Sequence, residues 1–317
     1  MSSSKKRILI TMGDPAGIGP EVTVKALSDW RISKLAHFQV IGDFFVIDKA
    51  RKVLRAKPEI SLLDLANVPS TNFAFGVSRP AFGKAAMEYV DKALKLIKSG
   101  QADALVTAPI NKLSVRNAGF EDFEGHTEYL ARRTGTKEFA MMFVGKKLKI
   151  TLVTRHVALK DVSQAITADS ISNAIRLTYD YLKKYFGLED PKIAVAGLNP
   201  HAGDSGLFGD EEERIIIPAI KKASVGIKNI YGPLPADAVF YETLKGKFDA
   251  VVAMYHDQAL GPFKTLYFND GVNLTLGLPF IRTSPDHGTA FDIAGKSIAD
   301  PTSMKEAIKL ACSLRHN

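Results

Sequence analysis

Three of the seven histidines share one local setting, each just past the end of a short apolar run rich in β-branched or small residues. His156 follows Lys149-Ile-Thr-Leu-Val-Thr154, His201 follows Lys192-Ile-Ala-Val-Ala-Gly-Leu198, and His256 follows Asp249-Ala-Val-Val-Ala-Met254. Runs of that kind read as buried strands, and in open α/β sheets ligands gather outside the carboxyl ends of strands. Imidazoles placed there could converge on one divalent cation and leave a coordination position open for substrate. The bland alternative for each is a surface or hydrogen-bonded histidine. The three lie dozens of residues apart, far from any compact zinc motif, so only folding could assemble them.

In His256-Asp257-Gln258 the carboxylate could orient the imidazole or could cap the following helix. Met12-Gly-Asp-Pro-Ala-Gly-Ile-Gly-Pro-Glu21 joins a strand to a helix, a turn that exposes backbone N–H groups. Its glycines at 13, 17 and 19 match neither the dinucleotide fingerprint G-x-G-x-x-G nor a P-loop. The turn signals close backbone approach without naming what approaches. A second glycine-rich turn, His201-Ala-Gly-Asp-Ser-Gly-Leu-Phe-Gly209, leads into Asp210-Glu-Glu-Glu213, acids suited to a helix start. Lys264, Asn273 and Arg282 could form a phosphate clamp, or be ordinary surface residues.

Short apolar runs alternate with helical periodicity along the chain, which predicts α/β layers. Strands are expected over Arg7–Met12, Phe38–Ile41, Ala104–Thr107, Lys149–Thr154, Lys192–Leu198 and Asp249–Met254. Ala140–Val144 and Lys149–Thr154, joined by Gly145-Lys-Lys-Leu148, read as a hairpin, so a purely parallel sheet is not expected. Helices are expected over Ala81–Ser99 and Asp169–Phe186, stopped by Gly100 and Gly187. Ser303 and Glu306 stand at capping-box spacing before a final helix.

The chain has 317 residues, 46% hydrophobic and 24% charged, more than one core usually serves, so two lobes are expected. Forty-two basic against 34 acidic residues give a net charge of +8, which suits solubility or an anionic partner. The basic residues are dispersed, with no aromatic-interleaved stripe, which argues against nucleic acid. Cys312 is the only cysteine, excluding a disulfide framework, and reads as a small packed hydrophobe. No signal-peptide pattern follows Met1–Arg7 and no apolar run nears the roughly 18 residues of a membrane span, so a cytoplasmic protein is expected. His37 and His316 read as surface.

Seven segments in order resemble the 4-hydroxythreonine-4-phosphate dehydrogenase family. They are Ile10–Glu21, Thr107-Ala-Pro-Ile-Asn-Lys112, Gly125-His-Thr-Glu128, Leu198-Asn-Pro-His-Ala-Gly203, Tyr255-His-Asp-Gln258, Asn273–Ser284 and Asp286-His-Gly-Thr-Ala290. Ala259 and Asp204 depart from the residues usual in that family and leave the three histidines intact. The resemblance implies a two-lobed α/β/α fold like isocitrate and isopropylmalate dehydrogenases, with the active cleft between the lobes. Residues 1–130 with 265–317 would form one lobe, and 131–264, with dimer contacts, the other. It implies NAD (or NADP) as cofactor, a divalent metal (zinc, magnesium or cobalt), and a homodimer whose metal site is shared between subunits. His156, His201 and His256 would be the metal ligands, and His126, Thr127, Lys264, Asn273 and Arg282 would contact substrate.

The activity so implied is oxidation of 4-phosphooxy-L-threonine to a β-keto acid that decarboxylates to 3-amino-2-oxopropyl phosphate, a step of pyridoxal phosphate synthesis. Lys112, Asp237 and Asp257 are all candidates for the general base. Competing readings are a dehydrogenase of 4-phospho-threonate or 4-phospho-erythronate, a tri-histidine metal hydrolase, and a non-enzymatic binder of phosphometabolites or nucleic acid. Nucleic acid and membrane are not expected partners.

Overall fold

A computed structural model describes residues 5–315. His316 and the first four residues, both touched by the sequence reading, lie outside the described residues. The strands are β1 (Arg7–Thr11), β2 (His37–Gly42), β3 (Leu62–Asp64), β4 (Ala104–Thr107), β5 (Ala140–Val144), β6 (Lys149–Leu152), β7 (Ile193–Ala196), β8 (Ile230–Leu234), β9 (Ala250–Ala253), β10 (Val272–Leu276) and β11 (Ile281–Pro285).

The described chain divides into two compact α/β units, residues 5–134 with 279–314, and 135–278 with 315. The return to the first unit falls at Pro279 and not at 265. The reason is that β10 pairs antiparallel with β5, keeping residues up to Leu278 with the second unit.

In the first unit β3, β2, β1, β4 and β11 lie side by side and parallel. β4 is buried along its whole length and β1 at all but its first residue, as strands covered on both faces must be. The helix Gly19–Ser28 packs with Thr302–Ser313, and Pro80–Lys98 packs with Lys112–Asn117. The last helix is not started by a capping box. Asp300 Oδ1 instead accepts from Thr302 N at 2.9 Å, and the Ser303 hydroxyl accepts from Asp286 N at 2.9 Å.

In the second unit the order is β10-β5-β6-β9-β7-β8. β5 and β6 form the expected antiparallel hairpin, whereas β6, β9, β7 and β8 run parallel. Alternation along the strands builds two cores. Ile193, Val195, Ala250 and Val252 face the helices Ala168–Lys184 and Ile217–Ala223. Ala194, Ala196, Val251 and Ala253 face Ala236–Leu244 and His256–Tyr267. Helix Ala168–Lys184 begins on a capping box, Thr167 with Ser170, and buries one face of Ile171, Ala174, Ile175, Thr178 and Leu182.

Candidate active-site residues

The strands that carry the three histidines are neighbours. β6, β9 and β7 are adjacent and parallel, so His156, His256 and His201 leave the sheet at the same edge. Side chains tie these strand ends together. Met254 O accepts from both Thr154 N at 3.1 Å and the Thr154 hydroxyl at 2.7 Å, which joins β6 to β9. Gln258, buried, accepts from Met254 N at 2.7 Å and donates to Gly197 O at 2.7 Å, which joins β9 to β7.

His156 and His256 face each other with ring centroids 5.9 Å apart. They line a small cavity of about 180 Å³ with Arg155, Tyr255 and Asp257. Asp257 does not cap its helix, which begins at His256. Its carboxylate sits 2.7 Å from His256 Nδ1. A proton on Nδ1 held by that carboxylate leaves Nε2 with a lone pair, the state a metal ligand requires. His201 is exposed on the short turn Pro200–Gly203, its ring 6.0 Å from Phe208. Among the described residues no group of three His, Cys, Asp or Glu side chains in one chain is placed to hold a metal ion. The fold thus pairs two of the expected ligands and puts the third on an adjacent strand end. Two neighbouring imidazoles, one oriented by a carboxylate, suit a divalent cation as part of a donor set.

In the first unit Arg282 lies on β11 with 3% of its surface exposed. Its register beside β4 brings the guanidinium to Thr107, whose hydroxyl accepts from Nη2 at 2.6 Å and Nε at 3.2 Å. The Thr127 hydroxyl accepts from Nη1 at 3.4 Å. Burial pulls the Arg282 pKa down to about 10, with Glu128 opposing the shift. It therefore stays charged at neutral pH.

His126 opens the helix His126–Thr134, and its Nε2 is shut off from solvent with no hydrogen-bond partner. Burial, and then the charges of Arg282 and Lys112, push its pKa well below the ordinary range, so the imidazole is neutral. A buried guanidinium, two hydroxyls, a neutral imidazole and a helix N-terminus form a setting suited to an oxyanion.

Lys264 and Asn273 belong to the second unit. Lys264 Nζ lies 5.6 Å from the Phe268 ring centroid, and Asn273 Oδ1 is buried without a partner. Of the possible bases, Lys112 is exposed at the start of Lys112–Asn117, Asp237 is exposed in the first turn of Ala236–Leu244, and Asp257 is engaged with His256.

Four further residues have roles that their local sequence does not announce. Thr107 and Gln258 lay within quoted motifs, but only strand pairing reveals what they touch. Glu212 was one of a run of acids read as a helix start, yet it is buried. Asp14 lies in the first glycine turn, fully buried, with Oδ1 accepting from Ala16 N at 2.9 Å and Oδ2 unpartnered. Burial raises its pKa to about 6, against several hydrogen bonds that lower it. The close approach signalled by that turn is to the chain itself. A Cβ on Gly13, whose φ is +78°, would stand 2.3 Å from Pro109 O.

Residues 7–311 match the family described as pyridoxal phosphate biosynthetic protein PdxA. A 4-hydroxythreonine-4-phosphate dehydrogenase of Desulfosudis oleivorans is 46% identical, over 95% of this chain and 94% of its own. A D-threonate 4-phosphate dehydrogenase of Cupriavidus necator is 44% identical, over 99% of this chain and 98% of its own. The crystal structure of a 4-hydroxythreonine-4-phosphate dehydrogenase from Klebsiella pneumoniae has TM-score 0.88 and 38% identity, with 98% of this chain and 99% of that one covered.

Proposed function

Because the chain belongs to the pyridoxal phosphate biosynthetic protein PdxA family, whose relatives above are dehydrogenases, we propose that it oxidises 4-phosphooxy-L-threonine with NAD and a divalent metal. The product is a β-keto acid that loses carbon dioxide to give 3-amino-2-oxopropyl phosphate. The observation that carries this reading is the buried Arg282 guanidinium on the hydroxyls of Thr107 and Thr127, beside the unpartnered Nε2 of His126.

In this reading Arg282, Thr127 and His126 bind the phosphoester end, with Lys264 and Asn273 as further substrate contacts. The phosphate is remote from the reacting carbon, so its binding energy orients the substrate. His126 stays neutral and donates or accepts one hydrogen bond without adding charge. His156, His201 and His256 would hold the metal, with ligands drawn from both subunits of a homodimer. When bound, the cation supplies Lewis acidity at the substrate's secondary hydroxyl. Asp257 keeps the His256 ring in the tautomer that binds. NAD, when bound, would accept the hydride from the substrate carbon, and the hydroxyl proton would pass to a base. Lys112 and Asp237 are the residues to test for that role, since Asp257 already holds His256.

A second substrate, 4-phospho-D-threonate, is favoured by the 44% identity to the C. necator enzyme, hardly below the 46% of the D. oleivorans enzyme. NADH formation from the two compounds, compared as kcat/KM on one preparation, separates the readings. A clear preference for the phosphorylated amino acid supports the first, and a clear preference for the phosphorylated sugar acid replaces it.

A further inference from the structure

The loop that carries His201 has an unusual backbone. His201, Ala202, Asp204 and Ser205 all have φ between +43° and +56°, and none of them is glycine. Side chains with a Cβ rarely adopt this region, so something outside the loop must hold it there. Leu198 packs against the core at the start of the loop, while Leu207 and Phe208 at its far end are exposed, so the stretch 201–205 is not held by a large apolar side chain of its own.

Glu212 supplies the anchor. It opens a π-helical turn, Glu212–Ile216, which is continued by the helix Ile217–Ala223, and its residue surface is 2% exposed. Oε1 accepts from Leu198 N at 2.7 Å and Asn199 N at 2.8 Å, and Oε2 accepts from Asn199 Nδ2 at 2.9 Å. Three donors on one buried carboxylate is a strong, directional grip. The fit is tight on both sides of the loop. A Cβ on Gly203 would stand 2.8 Å from Glu212 Oε2, and one on Gly197 would stand 3.1 Å from Oε1. Glu211 adds a contact from its Oε2 to Asn199 Nδ2 at 2.7 Å.

We propose that Glu212 is a positioning residue for the metal site, a carboxylate that clamps the start of the loop and thereby fixes where His201 presents its imidazole. The proposal rests on the reading of His201 as a metal ligand. Glu212 is not itself a ligand, because both oxygens are committed to the loop. Its effect on metal binding passes through the backbone of residues 198–201.

The test is titration of the metal-free protein with Co²⁺, following ligand-field absorption, for wild type, His201→Ala, Glu212→Gln and Glu212→Ala. Glu212→Gln is nearly isosteric and keeps one acceptor oxygen for the two backbone N–H groups, while its amide opposes Asn199 Nδ2. Circular dichroism establishes that each variant is folded. His201→Ala is expected to lose the cobalt spectrum. Glu212→Gln is expected to weaken cobalt binding at least about ten-fold with an altered band shape, and Glu212→Ala more, since outer supports of metal ligands carry effects of that order. Cobalt binding unchanged in His201→Ala overturns the ligand reading. Loss in His201→Ala with wild-type cobalt affinity and spectrum in folded Glu212→Gln overturns the positioning role alone. Should Glu212→Ala fail to fold, Glu212→Gln still decides.

Discussion

Arg282 Nη2 donates to the Thr107 hydroxyl at 2.6 Å across the parallel register of β11 and β4. The two residues are distant in sequence, and neither motif alone indicates the other. The contact fixes the plane of a guanidinium whose charge is buried.

Arg282→Ala is expected to raise KM for the phosphorylated substrate on the order of 100-fold, with a smaller effect on kcat. Two charge-assisted hydrogen bonds at about 1.5 kcal/mol each give that magnitude. Thr107→Val, which leaves two guanidinium donors without their acceptor, should destabilise the fold by roughly 1–3 kcal/mol. Steady-state kinetics and urea unfolding check the pair. An unchanged KM in Arg282→Ala would remove the phosphate role.

Fold and site were legible to different degrees. The hairpin β5–β6 and the strands at Ala104–Thr107 and Lys149–Leu152 follow from short apolar runs and turn residues, which are local signals. The return crossing at Pro279 was not legible, because it depends on β10 pairing with β5, a contact between distant segments. The three histidines were readable as strand-end residues. Their adjacency needs the order β6-β9-β7, which periodicity does not encode. Glu212 was hidden for another reason. An acid at a helix start usually faces solvent near the dipole, and nothing local reveals that this one turns inward.

Asp14 makes stability depend on pH. Its pKa rises from the ordinary 3.8 to about 6 on folding, so the folded state binds its proton more tightly than the unfolded chain. Stability from this group is greatest at low pH and is lost as pH rises through about 6, a penalty of roughly 3 kcal/mol once ionised. Asp14→Asn should therefore stabilise the protein near pH 8, with little gain at about pH 4. Thermal unfolding at both values checks it, and an equal gain at the two would contradict the assignment.

His126 has the opposite sign. Its folded pKa lies well below the ordinary 6.5, because burial and nearby cations resist a second proton. Stability from the neutral ring is complete above pH 6.5 and is lost as pH falls through the unfolded value toward the folded one. In a histidine-labelled NMR titration the His126 signals should stay those of a neutral ring at about pH 5.5. A His126 midpoint near the ordinary value would contradict the buried environment.

Asp257→Asn is expected to weaken cobalt binding about ten-fold without unfolding, because it removes the carboxylate that holds the His256 tautomer. Isothermal titration of the metal-free protein measures it. Equal affinity in the variant would mean that the contact is incidental.

The most direct measurement is NADH formation from 4-phosphooxy-L-threonine and from 4-hydroxy-L-threonine, each with and without a chelator, with metal then restored. The account predicts NADH from the phosphorylated compound only, its loss with chelator and its return with a divalent cation. Equal rates from both compounds, or full activity in the presence of chelator, would contradict it.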